Sequence, residues 1–307
     1  MRAERAVADS AHLGLRWASA GRRLVGRLRF RILGALEVER DGEPLPVGGP
    51  KLRVVLGTLL VRAGALVPLD TLFDLLWAEE PPRTARTAVQ VHISSLRRLL
   101  AADPDVQIET RPGGYRLHVD PAMIDAASFV RLSEAGKEAA AAGRGQKAVD
   151  ALERALLLWR GTPLSDVAIS EASIPELADL EDRYITTVEA WAETILGLGR
   201  HGQAIGRLER TRAQHPLRER LYLLEAIAKY RSGREGEALE RIAELRRILS
   251  TELGVEPSPA AQSLEPSDPH ARRSAGVRAG RKPDIARGPQ DDRRARMYHD
   301  GRAHRGS

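Results

Sequence analysis

Apolar positions along the chain fall into short alternating runs first and long helical runs later. Phe30 to Glu39 is β-rich with partial alternation. Asp41-Gly42 is a turn signal, and Leu45 to Val47 are placed to pair back as a hairpin. Gly48-Gly49-Pro50 breaks that pattern, and Pro50 suits a first helical turn. Leu52, Val55, Leu56, Leu59 and Leu60 then predict a helix over 51–63, ended by Gly64. A shorter helix follows from Pro68 to Trp77, with Leu69, Leu72, Phe73 and Leu76 on one face and Pro81-Pro82 beyond its end. Thr84 can cap a third helix running to about Leu100. Its core-facing positions Val89, Ile93, Leu96 and Leu100 leave Thr87, Val91, Ser94 and Arg98, flanked by Gln90 and Arg97, on the opposite face. Val106 to Thr110 and Tyr115 to Val119 form a second hairpin around Pro112-Gly113-Gly114. Hairpin, three helices, hairpin is an α+β winged helix-turn-helix layout, in which the third helix enters the major groove and the hairpin reaches the neighbouring backbone or minor groove.

From 124 to 253 the period is helical throughout. Asp125 can cap a helix carrying Phe129 and Leu132, and Ala148, Leu152, Leu156 and Trp159 mark the next. Ser173 and Glu176 have capping-box spacing before a long helix with Leu177, Leu180, Tyr184, Val188, Trp191 and Ile195. Gly199-Arg200-x-Gly202-x-Ala204 recurs as Gly233-Arg234-x-Gly236-x-Ala238, an offset of 34 that matches the tetratricopeptide period, and Leu208 and Ile242 match too. A weaker copy is Gly143-Arg144 with Ala148 and Leu152. The expectation is an all-α, tetratricopeptide-like repeat whose small residues let helices approach closely. An ordinary bundle with coincidental Gly/Ala matches is the alternative. Residues 1–27 read as a flexible leader, with the true start expected near Val25, and 260–307 as a disordered basic tail too poor in large apolar residues to offset its ordering entropy. The expected division is therefore leader 1–27, winged helix 28–120, helical domain 124–259 and tail 260–307.

Composition narrows the chemistry. The chain has no cysteine, which removes disulfides, thiolate zinc sites and thiolate catalysis. No apolar run reaches the ~18 residues of a membrane span, and the leader lacks the apolar stretch of a signal peptide, so a cytoplasmic protein without membrane contact is expected. No phosphate-binding loop, HExxH or Gly-x-Ser-x-Gly points to an enzyme, and no cofactor is implied. The net charge is +6, but residues 1–29 and 261–307 each carry +5 and the interior is −4. Any case for DNA must therefore rest on local arrangement. One such arrangement exists: Pro81 to Ala102 holds Arg83, Arg86, Arg97 and Arg98 and no acid.

Several stretches together resemble the Streptomyces antibiotic regulatory protein family, transcriptional activators with an OmpR-type winged helix followed by a bacterial transcriptional activator domain. Phe30-Arg31-Ile32-Leu33-Gly34 with Leu36-Glu37-Val38 resembles the family's opening strand, and Gly48-Gly49-Pro50-Lys51-Leu52-Arg53 the entry to its first helix. Leu75-Leu76-Trp77 with Pro81-Pro82, then 85–100, resemble its second and recognition helices, and Gly113-Gly114-Tyr115-Arg116-Leu117 its wing. Trp159-Arg160-Gly161-x-Pro163-Leu164 and Glu252-Leu253-Gly254-Val255-Glu256-Pro257 resemble the second domain. The likeness covers about 30–259, and the low-complexity tail stands where the family has its last helix. It implies an activator of a secondary-metabolite cluster, bound as two protomers to promoter direct repeats in double-stranded DNA and recruiting RNA polymerase holoenzyme. No receiver domain is recognisable, so control by abundance, by a kinase or by a small ligand stays open.

The expected contacts follow from position. Arg83, Thr84 and Arg86 sit at the N-terminus of the recognition helix, where the dipole favours a phosphate. Thr87, Gln90, Val91, Ser94, Ser95, Arg97 and Arg98 are placed toward bases: Gln can bridge adenine, Arg guanine, and Val can meet a thymine methyl. Lys51 and Arg53 are placed to touch backbone or to be solvated, and Arg116 to reach phosphate or minor groove or to serve the wing itself. His92 lies between the faces, with packing or a phosphate contact expected rather than a metal. The competing class is a protein-interaction adaptor that uses the helical repeats without DNA.

Overall fold

Three short antiparallel strands open the structure, a computed structural model that describes residues 27–77, 80–169 and 174–262. β1 (Leu28–Arg31), β2 (Glu37–Arg40) and β3 (Glu43–Pro44) pair in the order β1-β2-β3, with Phe30 opposite Val38 and both buried. The run 30–39 is thus two strands rather than one. The backbone between them is taken by other partners: the Ile32 and Leu33 amides donate to the Asp125 carboxylate, and the Ile32 and Leu33 carbonyls accept from the Leu164 and Arg160 amides.

Next come α1 (Pro50–Val61), β4 (Leu66–Pro68), α2 (Leu69–Trp77), α3 (Ala85–Leu100), β5 (Gln107–Arg111) and β6 (Gly114–His118). β4 was not expected from the sequence. It pairs with β6 and completes a second sheet of order β4-β6-β5, with β5 at its edge. Val55, Leu56 and Leu59 of α1, Leu72 of α2, and Val89, Ile93, Leu96 and Leu100 of α3 are buried together. The +4, +3, +4 spacing of the α3 residues places them on one stripe, which the other two helices and Leu117 of the wing cover.

A helical half follows: α4 (Asp125–Ala141), α5 (Gly145–Leu158), α6 (Pro175–Gly197), α7 (His201–Gln214), α8 (Glu219–Arg231), α9 (Glu235–Ile248) and a last turn, α10 (Pro259–Gln262). The repeat is real in three copies. Gly143, Gly199 and Gly233 follow the alternate helices α4, α6 and α8 at φ +70°, +77° and +78°, a region that penalises any Cβ. The arginine after each glycine is the N-cap of the next helix, and Ala148, Ala204 and Ala238 are buried. Close approach of helices is not the reason for Gly202 and Gly236, since a Cβ on either would meet open space. Tight packing is found instead at Gly136 of α4, where a Cβ would lie 2.5 Å from the Leu152 side chain.

Two expected caps are revised or untested. Asp125 is the first helical residue of α4, with Ile124 at the N-cap, and its carboxylate accepts the Ile32 and Leu33 amides at the β1 end. Ser173, the leader up to 26 and the tail from 263 lie outside the described residues. The described residues continue past 259: Ala261 is buried, and Ser258 donates through its amide and hydroxyl to Glu219.

The winged helix and the first helices of the helical half share one core. Phe30, Ile32, Leu59, Phe129, Ala155, Leu164 and Leu177 belong to a single buried cluster. A loop after α5 clasps the β1–β2 turn: Arg160 donates to Glu37 at 2.8 Å and to the Ala35 carbonyl at 3.1 Å, and Asp166 accepts the Leu36 amide at 2.8 Å. Farther along, α7, α8 and α9 enclose ions: Glu225, fully buried, faces Arg212 at 2.7 Å and Lys229 at 3.1 Å, and Lys229 also faces Glu209 at 2.9 Å.

Candidate nucleic-acid interface

The α3 helix presents the edge that its sequence predicted. Arg86, Thr87, Gln90, Val91, Ser94, Arg97 and Arg98 are exposed, Ser95 is half-buried, and Arg83 and Thr84 are exposed just ahead of the first turn. Val91 is 57% exposed. Thr84 occupies the N-cap position but its hydroxyl makes no capping bond, so it is not committed to the helix end.

The arginines of this edge carry no ion pair among the described residues, unlike several on the opposite side of the core. Among the described residues, Arg31, Arg53, Arg62, Arg160, Arg212, Arg218, Arg220, Arg234 and Arg241 all pair with carboxylates. Among the described residues, Arg83 and Arg86 have no such partner, and the side-chain bond of Arg98 is to the Ser95 hydroxyl, at 3.3 Å. Arg97 is held within the protein: its Nε–H and an NH2 hydrogen donate to the Ile108 carbonyl at 3.0 and 2.8 Å, and NH2 also donates to Thr110 Oγ1 at 2.7 Å.

The flanking candidates separate. Lys51 is exposed at the start of α1, with its ammonium 4.6 Å from the Trp77 ring centroid, so a cation–π contact aims it. His92, half-buried beside it, is pushed below the ordinary histidine value first by burial and then by the Lys51 charge, which favours the neutral imidazole. Arg53 is turned the other way, bonded to Asp166 and to the Leu36 carbonyl at 2.7 Å. Asp166 lies 113 positions later, so sequence spacing gave no sign of this pairing. Arg116 is half-buried in β6, opposite Glu109 and Leu66, and its Nε is buried without a hydrogen-bond partner.

Sequence reasoning passed over Arg111. It closes β5 at the wing turn, exposed, with Nε 2.8 Å from Glu109. Glu109 in turn accepts His118 Nε2 at 2.9 Å, and these two bonds hold its carboxyl below the ordinary glutamate range. The signal was available in Arg111-Pro112-Gly113-Gly114: an arginine next to a two-glycine turn is at a hairpin tip. Tight seating of that tip is enforced at Gly114, where a Cβ would come within 2.1 Å of the Val67 carbonyl oxygen.

A winged helix-turn-helix with an open arginine-bearing third helix, fused to a helical repeat, defines a class of transcriptional regulator. The comparisons with known proteins agree. Residues 45–117 match the family "Transcriptional regulatory protein, C terminal", and 124–267 match the "Bacterial transcriptional activator domain". The regulatory protein DnrI of Streptomyces peucetius is 38% identical over 247 residues, covering 78% of this chain and 90% of DnrI. The regulatory protein AfsR of Streptomyces coelicolor is 40% identical over 241 residues, where the chain spans only 24% of AfsR. A structure of Mycobacterium tuberculosis EmbR in complex with a low-affinity phosphopeptide matches with a TM-score of 0.72 at 35% identity, over 81% of this chain and 68% of that one. The chain belongs to the Streptomyces antibiotic regulatory protein family of transcriptional regulators. No helix among the described residues is long and apolar enough to cross a membrane.

Proposed function

We propose that the protein is a sequence-specific DNA-binding activator, seated with α3 in the major groove and the β5–β6 wing on the adjoining backbone. The supporting observation is the exposed, acid-free edge of α3, whose Arg83, Arg86 and Arg98 face no carboxylate among the described residues. Such unpaired guanidinia gain from meeting phosphates and releasing their counterions. Arg83, Thr84 and Arg86 take phosphates at the helix N-terminus. Thr87, Gln90, Val91, Ser94, Ser95 and Arg98 face base edges, with Lys51 and Arg116 on flanking backbone. Arg53 is assigned to the fold instead, since Asp166 holds it. By family, the sites are direct repeats upstream of a secondary-metabolite cluster, occupied by two protomers, with the helical half engaging RNA polymerase holoenzyme in the cytoplasm.

Genome-wide mapping of bound sites, followed by gel shifts on the mapped fragments, tests the reading. Expected is binding at roughly 10⁻⁸ M or tighter, steeply weakened by salt. Arg86→Ala should weaken all DNA alike and reduce the salt slope by about one, whereas Arg98→Ala should relax preference at one base pair by about 1–3 kcal/mol. Absence of any preferred fragment would leave the adaptor reading in its place.

A further inference from the structure

Arg97 sits in the row of α3 residues that point outward, yet its guanidinium is already occupied. Its Nε–H and both NH2 hydrogens are directed to the Ile108 carbonyl and Thr110 Oγ1. Reading guanine requires two parallel N–H groups, one from each of two nitrogens, directed at O6 and N7. With NH2 fully engaged and Nε turned to the same carbonyl, Arg97 has no such fork to offer. Only the two NH1 hydrogens remain.

The residues that Arg97 holds are informative. β5 is the edge strand of its sheet, so one row of its backbone groups has no strand partner. Arg97 reaches that edge at Ile108 and again two residues on at Thr110. One residue further is Arg111, exposed at the wing tip and aimed by Glu109. The other side of the wing is fixed separately, by β4–β6 pairing and by the Leu69 amide donating to the Gly113 carbonyl at 2.9 Å. Arg97 is thus the bond from the recognition helix to the free edge of the wing.

We propose that Arg97 is a positioning residue, not a base reader: it sets the angle between α3 and the wing, and so places Arg111 on the phosphates or minor groove flanking the site that α3 reads. This rests on the DNA-binding reading above. Arg97 and Arg111 then act as one unit, and substitutions in a unit are not additive. Arg98, whose side-chain bond is to Ser95, acts independently.

The experiment is a double-substitution cycle on a mapped operator fragment, with hydroxyl-radical footprints and with backbone hydrogen exchange on the free protein. Arg97→Ala and Arg111→Ala should each weaken operator binding by about tenfold, the scale of a lost charged hydrogen bond. The double variant should be no weaker than either single one. Arg98→Ala combined with Arg111→Ala should multiply. In the Arg97→Ala footprint, protection is expected to vanish on the wing side only, with the base preference profile unchanged, and amides 107–111 should exchange faster without DNA. Multiplicative losses for Arg97 and Arg111, or a relaxed preference at a single base pair on Arg97→Ala, overturn the proposal. If the unsubstituted protein shows no operator, the DNA reading has failed, and the exchange measurement still decides the latch: unchanged exchange at 107–111 rejects it.

Discussion

The carboxylate of Asp125, at the head of the helical half, accepts the backbone amides of both Ile32 and Leu33, at 2.8 and 3.1 Å. These amides follow β1 and have no strand partner, so Asp125 stands in for a missing strand. Burial pushes its carboxyl above the ordinary aspartate value, against the pull of the two amides and of Arg160. Asp125→Ala leaves two buried donors unsatisfied, and the expected cost is about 2–4 kcal/mol. Urea denaturation measures it, with a loss well under 1 kcal/mol as the result that contradicts this account.

Acid should act through a different pair. Glu176, at the start of α6, receives Arg62, the C-cap of α1, at 2.8 Å, and the guanidinium holds its carboxyl below the usual glutamate range. A depressed folded value means stabilisation that is present above the unfolded value and lost as pH falls through the folded one. Asp125, raised, has the opposite sign: the folded state takes its proton first, and acidification through its raised value adds stability. Glu176→Gln is therefore expected to flatten the decline of the urea midpoint from about pH 7 toward about pH 3, modestly, because Glu176 is partly exposed. Parallel profiles for the two proteins would remove Glu176 from the acid response.

Within one repeat motif, two glycines should respond in opposite directions. Gly233 adopts φ +78°, and Gly233→Ala is expected to destabilise by about 1–2 kcal/mol. Gly236 lies in the first turn of α9 with open space where a Cβ would go, so Gly236→Ala should gain up to about 1 kcal/mol of helix propensity. Thermal unfolding of the two variants reads the difference, and a shift of the same sign in both refutes it.

The ions enclosed by α7, α8 and α9 cannot be halved without cost. Glu225→Ala leaves Arg212 and Lys229 short of their central acid, and a loss of about 3–5 kcal/mol is expected. Hydrogen exchange should show the loosening in 201–248 and leave the winged helix protected. Uniform loosening across the chain would mean that the two parts do not differ in local stability.

Much of this fold could be read from periodicity, because long elements repeat their signal. The α3 stripe of Val89, Ile93, Leu96 and Leu100 and the glycine at each repeat junction needed no partner to be recognised. β4 escaped because three residues with only Val67 buried carry no period. The break in 30–39 escaped because its cause, Asp125 and the 160–166 loop, lies far along the chain. The candidate site shows the same divide. Exposure of Gln90, Val91 and Arg98 follows from helical phase, whereas the bonds of Arg53 to Asp166 and of Arg97 to Ile108 depend on how distant segments meet.

The core shared by Phe30, Leu59, Phe129 and Leu177 has a mechanical consequence. On the DNA-binding reading proposed above, a docked α3 would set the compass bearing of the helices that share its core, α4 to α6, around the duplex. Whatever those helices grip is then presented at one rotational phase, so shifting the operator by half a helical turn, about 5 bp, should silence a promoter that a full-turn shift leaves responsive.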